Sequence, residues 1–171
     1  MYLLPTSNYL KRSLFINHPT ARSLPPKLTI PISHKDRVMK ELKDLGLSKF
    51  SLTRSESRYL PSIIHPDEHL GGAIYGHHKD GFAMLVATDR RIIFLDKKPL
   101  FINEDEVNYY VVSGVKLSRA GFGCTVTLHT RVKDYELQTL NYKSANIFVE
   151  YIESRSLEHA NGKDIYHDQS G

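Results

Sequence analysis

The stretch LVATDRRIIFLDKKPLF, residues Leu85–Phe101, decides how this chain is read. Apolar strand-formers stop at Thr88-Asp89-Arg90, resume at Ile92, and stop again at Asp96-Lys97-Lys98-Pro99. Short branched and aromatic runs bounded by turn residues read as consecutive strands joined by tight turns. The stretch carries no nucleophile beside a base and no pair of metal ligands. It reads as scaffold, with Asp89 accepting backbone hydrogen bonds and Thr88 and Arg91 flanking it as structural turn residues.

The same period continues outward in both directions. GAIYGHH (72–78) is a short strand, and KDG (79–81) is a hairpin turn expected to need positive φ at Gly81. FAMLVAT (82–88), RIIFL (91–95) and PLFI (99–102) follow as strands, with NEDE (103–106) as an acidic loop. VNYYVVSGVKLS (107–118) is a long strand in which Gly114 marks a bulge or bend. CTVTLHT (124–130) alternates, Val126 and Leu128 against Thr125, Thr127 and His129, and YELQTL (135–140) alternates likewise. Seven antiparallel strands result.

The period then returns to 3.6. NYKSANIFVEYIESR (141–155) gathers Ala145, Phe148 and Ile152 on one face, with Val149 and Tyr151 beside it. A bent sheet of this size leaves an open end, and a terminal helix with one apolar face covers it. Phe148 and Ile152 are expected against Val86, Phe94, Val126 or Leu137. After Arg155 the sequence is polar, and residues 156–171 read as a disordered tail.

Toward the N-terminus, residues 33–60 read as a short helical segment. SHKDRVMKELKDLGL (33–47) has Ser33 and Asp36 at capping spacing and Val38, Leu42 and Leu45 in one stripe. Gly46 suits the left-handed position after the last turn, and Leu47 can then fold back on Leu42. TRSESRYL (53–60) starts the same way and meets Pro61. Residues 1–32 contain Pro5, Pro19, Pro25, Pro26 and Pro31, which oppose a continuous helix, and read as an arm or linker.

At 171 residues, with 40% hydrophobic and 25% charged, the chain supports one core plus appendages. The single cysteine, Cys124, excludes an internal disulfide and reads as a small buried hydrophobe. No run approaches the ~18 apolar residues of a membrane span. Without a charged start and continuous apolar block, the N-terminus does not read as a secretory signal, so a cytoplasmic location is expected. The net charge of +4 is uneven. Residues 1–58 hold eleven Lys/Arg against four Asp/Glu, and no acid precedes Asp36. Such a concentration suggests an interaction arm.

Candidate chemistry is sparse. In HPDEH (65–69), His65 and His69 are four apart with Asp67 and Glu68 between, but Pro66 disfavours a helix through His65. These four are expected to stay apart and to hold no metal. His77 and His78 are adjacent on a strand and point to opposite faces. No G-x-S-x-G and no glycine-rich phosphate loop occurs, so no catalytic residue and no cofactor is assigned.

The binding candidates are basic. Lys11, Arg12, Arg22 and Lys27 stand in the arm among Leu10, Leu14, Phe15 and Ile16, and Lys97 and Lys98 form a basic turn. An arm of this kind can rest on an anionic membrane surface. Nucleic acid is a weaker partner, because residues 59–140 hold nine Lys/Arg against ten Asp/Glu.

GFAMLVATDRRIIFLDKK resembles the signature of bacterial pleckstrin-homology-like (PH-like) domains, in which a Thr-Asp-basic-Arg turn, here Thr88–Arg91, separates two apolar strands. The nearest group is YokE-like. That family tends to carry an acid where Glu68 stands, and its closing helix fits SANIFVEYIES. The resemblance spans about residues 60–155. It implies a mainly β, α+β fold: a PH-like, partly open seven-stranded antiparallel barrel capped by a C-terminal helix, with the domain at 61–155. It also implies a non-catalytic module that binds a protein or peptide or supports assembly, with self-association left open. Fold alone does not choose among lipid, peptide and protein ligands. The lipid-binding relatives use several basic residues around the first hairpin. HHKDGF offers Lys79, offset by Asp80, so specific inositol phosphate binding is not expected. The alternative is a peripheral membrane protein held by its basic arm.

Overall fold

The computed structural model describes residues 32–79 and 81–167. Seven strands are present: β1 (Leu70–His78), β2 (Gly81–Thr88), β3 (Ile92–Lys97), β4 (Ile102–Val107), β5 (Val112–Ala120), β6 (Gly123–Thr130) and β7 (Asp134–Thr139). They form one antiparallel sheet in the order β4-β3-β2-β1-β7-β6-β5, so β4 and β5 are its edges and the barrel is not closed. Three short helices precede it, α1 (His34–Asp44), α2 (Lys49–Leu52) and α3 (Ser55–Tyr59), and α4 (Tyr142–His167) follows it.

The sheet bends at one seam. Strands β1 and β7 share a single paired position, His77 with Gln138. Gly76 lies at this crossing, where an added Cβ would stand 2.3 Å from the Gln138 carbonyl oxygen. Only a residue without a side chain lets the two backbones approach so closely.

Two cores result. On the inner face, Ala145, Phe148, Val149 and Ile152 of α4 are buried with Ile74, Leu85, Phe94, Val126 and Leu137. On the outer face, Val38 and Leu42 of α1, with Leu47, Leu60 and Ile64, are buried against Ala73, Tyr75, Met84, Val86 and Ile93. Val86 therefore belongs to the face opposite Phe148. The unbroken apolar runs of β2 and β3 have this cause: a strand covered on both faces has no polar side to alternate with. Strands β6 and β7 alternate cleanly because they are covered on one face only.

Local signals follow the sequence in several places. The Ser33 side chain accepts from the Asp36 amide, and Gly46 has φ +89°. A register shift between Val112 and Gly114 makes the expected bulge. Other boundaries move. In the first hairpin Lys79, φ +48°, takes the left-handed conformation in place of Gly81. Residues 99–101 are the turn, and the acidic residues expected in a loop form β4. That strand is a sheet edge, where charges are tolerated because one side meets solvent; Asp105 pairs with Lys133 at 2.6 Å. Helix α4 runs on to His167, past the Arg155 boundary expected for it, with no proline to stop it.

Candidate functional site

The turn at Thr88–Arg91 is a fastener made of side chains. The Thr88 hydroxyl oxygen accepts from the amides of Arg90 (3.1 Å) and Arg91 (3.0 Å), which closes the turn. Thr88, in place of Asp89, therefore satisfies the turn's own backbone. Asp89 reaches outward instead: its carboxylate accepts from the His69 amide at 3.1 Å. Glu68 is fully buried. Its carboxylate accepts from Arg91 Nε at 3.1 Å, from the Thr88 hydroxyl at 2.8 Å, and from the His65 amide at 3.0 Å. Arg91 also donates to the Ile63 carbonyl at 2.8 Å and pairs with Glu106. The segment before β1 is thus tied to the β2–β3 turn.

Burial, the largest single influence, pushes the Glu68 carboxyl up. The Arg91, His65 and Thr88 hydrogen bonds and the Arg91 charge together outweigh it and hold the carboxyl below its ordinary value. Glu41 is held low in the same way, by His69, the Leu70 amide and Arg37 acting against burial.

Asp67, Glu68 and His69 each turn to a different neighbour, and the four residues of HPDEH singled out in the sequence do not converge. Asp67 pairs with Arg90, Glu68 with Arg91, and His69 with Glu41 at 2.9 Å, while His65 is exposed. Among the described residues, no group of three or more His, Cys, Asp or Glu is placed to hold a metal ion. Cys124 is buried, 3.6 Å from the Thr139 carbonyl, and burial pushes its thiol up. Lys98 pairs with Asp96 at 3.4 Å, and the Lys97 ammonium lies 5.2 Å from the Tyr59 ring. Lys11, Arg12, Arg22 and Lys27 lie outside the described residues.

Sequence reasoning did not find a groove of about 800 Å³ that opens where β1 parts from β7. One wall is Phe50, Tyr75 and Phe82; the other is Phe122 and Leu140. The floor is Gly76, Cys124, Thr125, Gln138 and Thr139. Four of the wall residues are large apolar groups left exposed: Phe50 55%, Phe82 48%, Phe122 104% and Leu140 84%. Among the described residues, no carboxylate lines the groove. Cations stand on both sides, each against an aromatic ring. The Arg54 guanidinium is 3.7 Å from the Phe50 ring centroid, and that of Arg119 is 3.9 Å from Tyr142. The walls come from four separated segments, which hides the groove from a linear reading. The one local signal is Phe122, an aromatic held between two glycines in a turn.

Residues 64–154 match the family model described as Bacterial PH domain. Among solved structures, the chain is similar to a DUF1696 family protein with a pleckstrin-homology domain from Shewanella loihica PV-4. That similarity has 19% identity over 64% of this chain and 98% of the other, with a TM-score of 0.39. No curated protein matches the chain.

Proposed function

We propose that this chain, which belongs to the bacterial PH domain family, is a binding module without catalytic activity that holds a protein segment in the groove beside Gly76. PH domains are in general binding or scaffold modules. The observation that carries the reading is the ring of exposed Phe50, Phe82, Phe122 and Leu140 around a groove that no carboxylate of the described residues lines. Exposed apolar patches of this kind mark interaction sites. Arg54 and Arg119, on opposite sides, favour a segment that is apolar in its middle and acidic at its ends.

The test is a pull-down with the full chain against the double variant Phe122→Ser/Leu140→Ser. Both side chains face solvent, so the variant keeps its fold, which circular dichroism checks. The expected result is a partner retained by the wild type and lost by the variant. The same set of proteins on both would count against the groove.

A further inference from the structure

Arg54 is a cation with no acid to match it. Its guanidinium lies 3.7 Å from the Phe50 ring centroid and 6.0 Å from that of Phe82, beside two rings of one groove wall. Among the described residues it makes no ion pair and no side-chain hydrogen bond, and its Nε is buried without a partner. Glu56, two positions on, is not available to it. That side chain is buried, and its carboxylate accepts from the Lys97 amide at 3.3 Å and the Ser55 hydroxyl at 3.1 Å. A buried donor left unmet is rare in a folded protein and asks for a reason. The stacking supplies one. A guanidinium laid over an aromatic ring has its plane fixed and keeps its outer N–H edge for a carboxylate.

The groove floor suits main chain. Thr125 and Gln138 face each other across β6 and β7, and both line the groove. Among the described residues neither side chain has a hydrogen-bond partner. A glutamine amide offers a donor and an acceptor, the complement of a peptide unit. Arg119 is stacked as well, on Tyr142, but it is exposed, where an ion pair contributes little. Arg54 is half-buried, where a pair with a carboxylate weighs more.

Resting on the groove reading, we propose that Arg54 sets the specificity of the groove: it takes an Asp or Glu carboxylate of the bound protein segment in a planar two-point pair, beside apolar residues held by the walls. Arg54 and Phe50 lie outside the matched residues 64–154, so the selecting group comes from this chain's own helical segment before the sheet. Asn141, which lines the groove, fastens that segment there: its side-chain amide donates to the Gly46 carbonyl at 2.7 Å.

The probes are peptides selected on the full chain from a random phage-displayed library and then lost on Phe122→Ser/Leu140→Ser. They are expected to share an Asp or Glu beside apolar residues. In fluorescence anisotropy, changing that acid to Asn or Gln in the peptide should weaken binding to the wild type about tenfold or more, and Arg54→Gln should weaken the acidic peptide equally. The two changes together should cost little more than either alone. Arg54→Lys keeps the charge without the fork and should regain only part of the loss. A peptide carrying Lys in place of the acid should bind Arg54→Glu better than wild type, a reversal that a purely structural Arg54 would not give. Circular dichroism checks each variant's fold, and the peptide substitution needs no variant. Groove-dependent peptides with no shared acid, an acid worth less than about twofold, or Arg54→Gln binding like wild type would overturn the role of Arg54 and leave the groove reading intact. Peptides held equally by Phe122→Ser/Leu140→Ser, or none selected at all, would sink the groove reading and this proposal with it.

Discussion

At the scale of single residues, Glu68 organises the most. It is buried, charged, and met by Arg91, Thr88 and the His65 amide. A carboxyl held below its ordinary value stabilises the folded state above its unfolded value, about pH 4.3, and that contribution fades as pH falls through the folded value. The urea midpoint of the wild type should therefore drop as pH falls below that unfolded value and on through the lower folded one. Glu68→Gln should lose roughly 3 kcal/mol at neutral pH, because it removes one partner of a buried pair, and should flatten the acid slope. A variant as stable as wild type at pH 7, with an unchanged acid slope, would show that the pair is idle. The turn was legible in the sequence from Thr88-Asp89-Arg90, but the job of each side chain was not. Asp and Thr side chains can both close a turn, and only the neighbouring backbone decides which oxygen serves it. Glu68 entered as one of the HPDEH candidates and, through family resemblance, as the acid before the first strand; no local pattern in HPDEH reports its burial.

At the scale of elements, hydrophobic period carried most of the information. Strands β6 and β7 and the apolar face of α4 were readable because each has one covered side. Strand β4 was not, since an edge strand full of acids has the composition of a loop. The role of α1 was also hidden. Its stripe announced a helix, but a helix does not name the surface it covers. That surface is the outer side of β1–β3, where Val38 and Leu42 meet Met84, Val86 and Ile93. Leu42 is fully buried, so Leu42→Ala should destabilise the whole molecule by about 2–5 kcal/mol, read from equilibrium denaturation. A loss below about 1 kcal/mol would mean that α1 is an appendage and not part of the core.

At the scale of the whole molecule, strand count, the antiparallel order and the closing helix were legible, while the groove was not. It exists only because β1 and β7 meet at one crossing and then part, and that crossing depends on one glycine and one backbone oxygen far away in the chain. The lone pairing of His77 with Gln138 also has a kinetic meaning. Strands β1–β4 and strands β5–β7 are each a run of hairpins whose contacts are local in the chain. Joining the two runs closes a loop of about sixty residues, and that closure carries an entropic penalty the hairpins do not face. The hairpins therefore form in or before the folding transition state, and the joint with α4 consolidates afterwards. Folding and unfolding rates of Phe148→Ala and Val86→Ala test this order: the first should mainly speed unfolding, the second should mainly slow refolding. The reverse partition would mean that the long-range joint nucleates the fold.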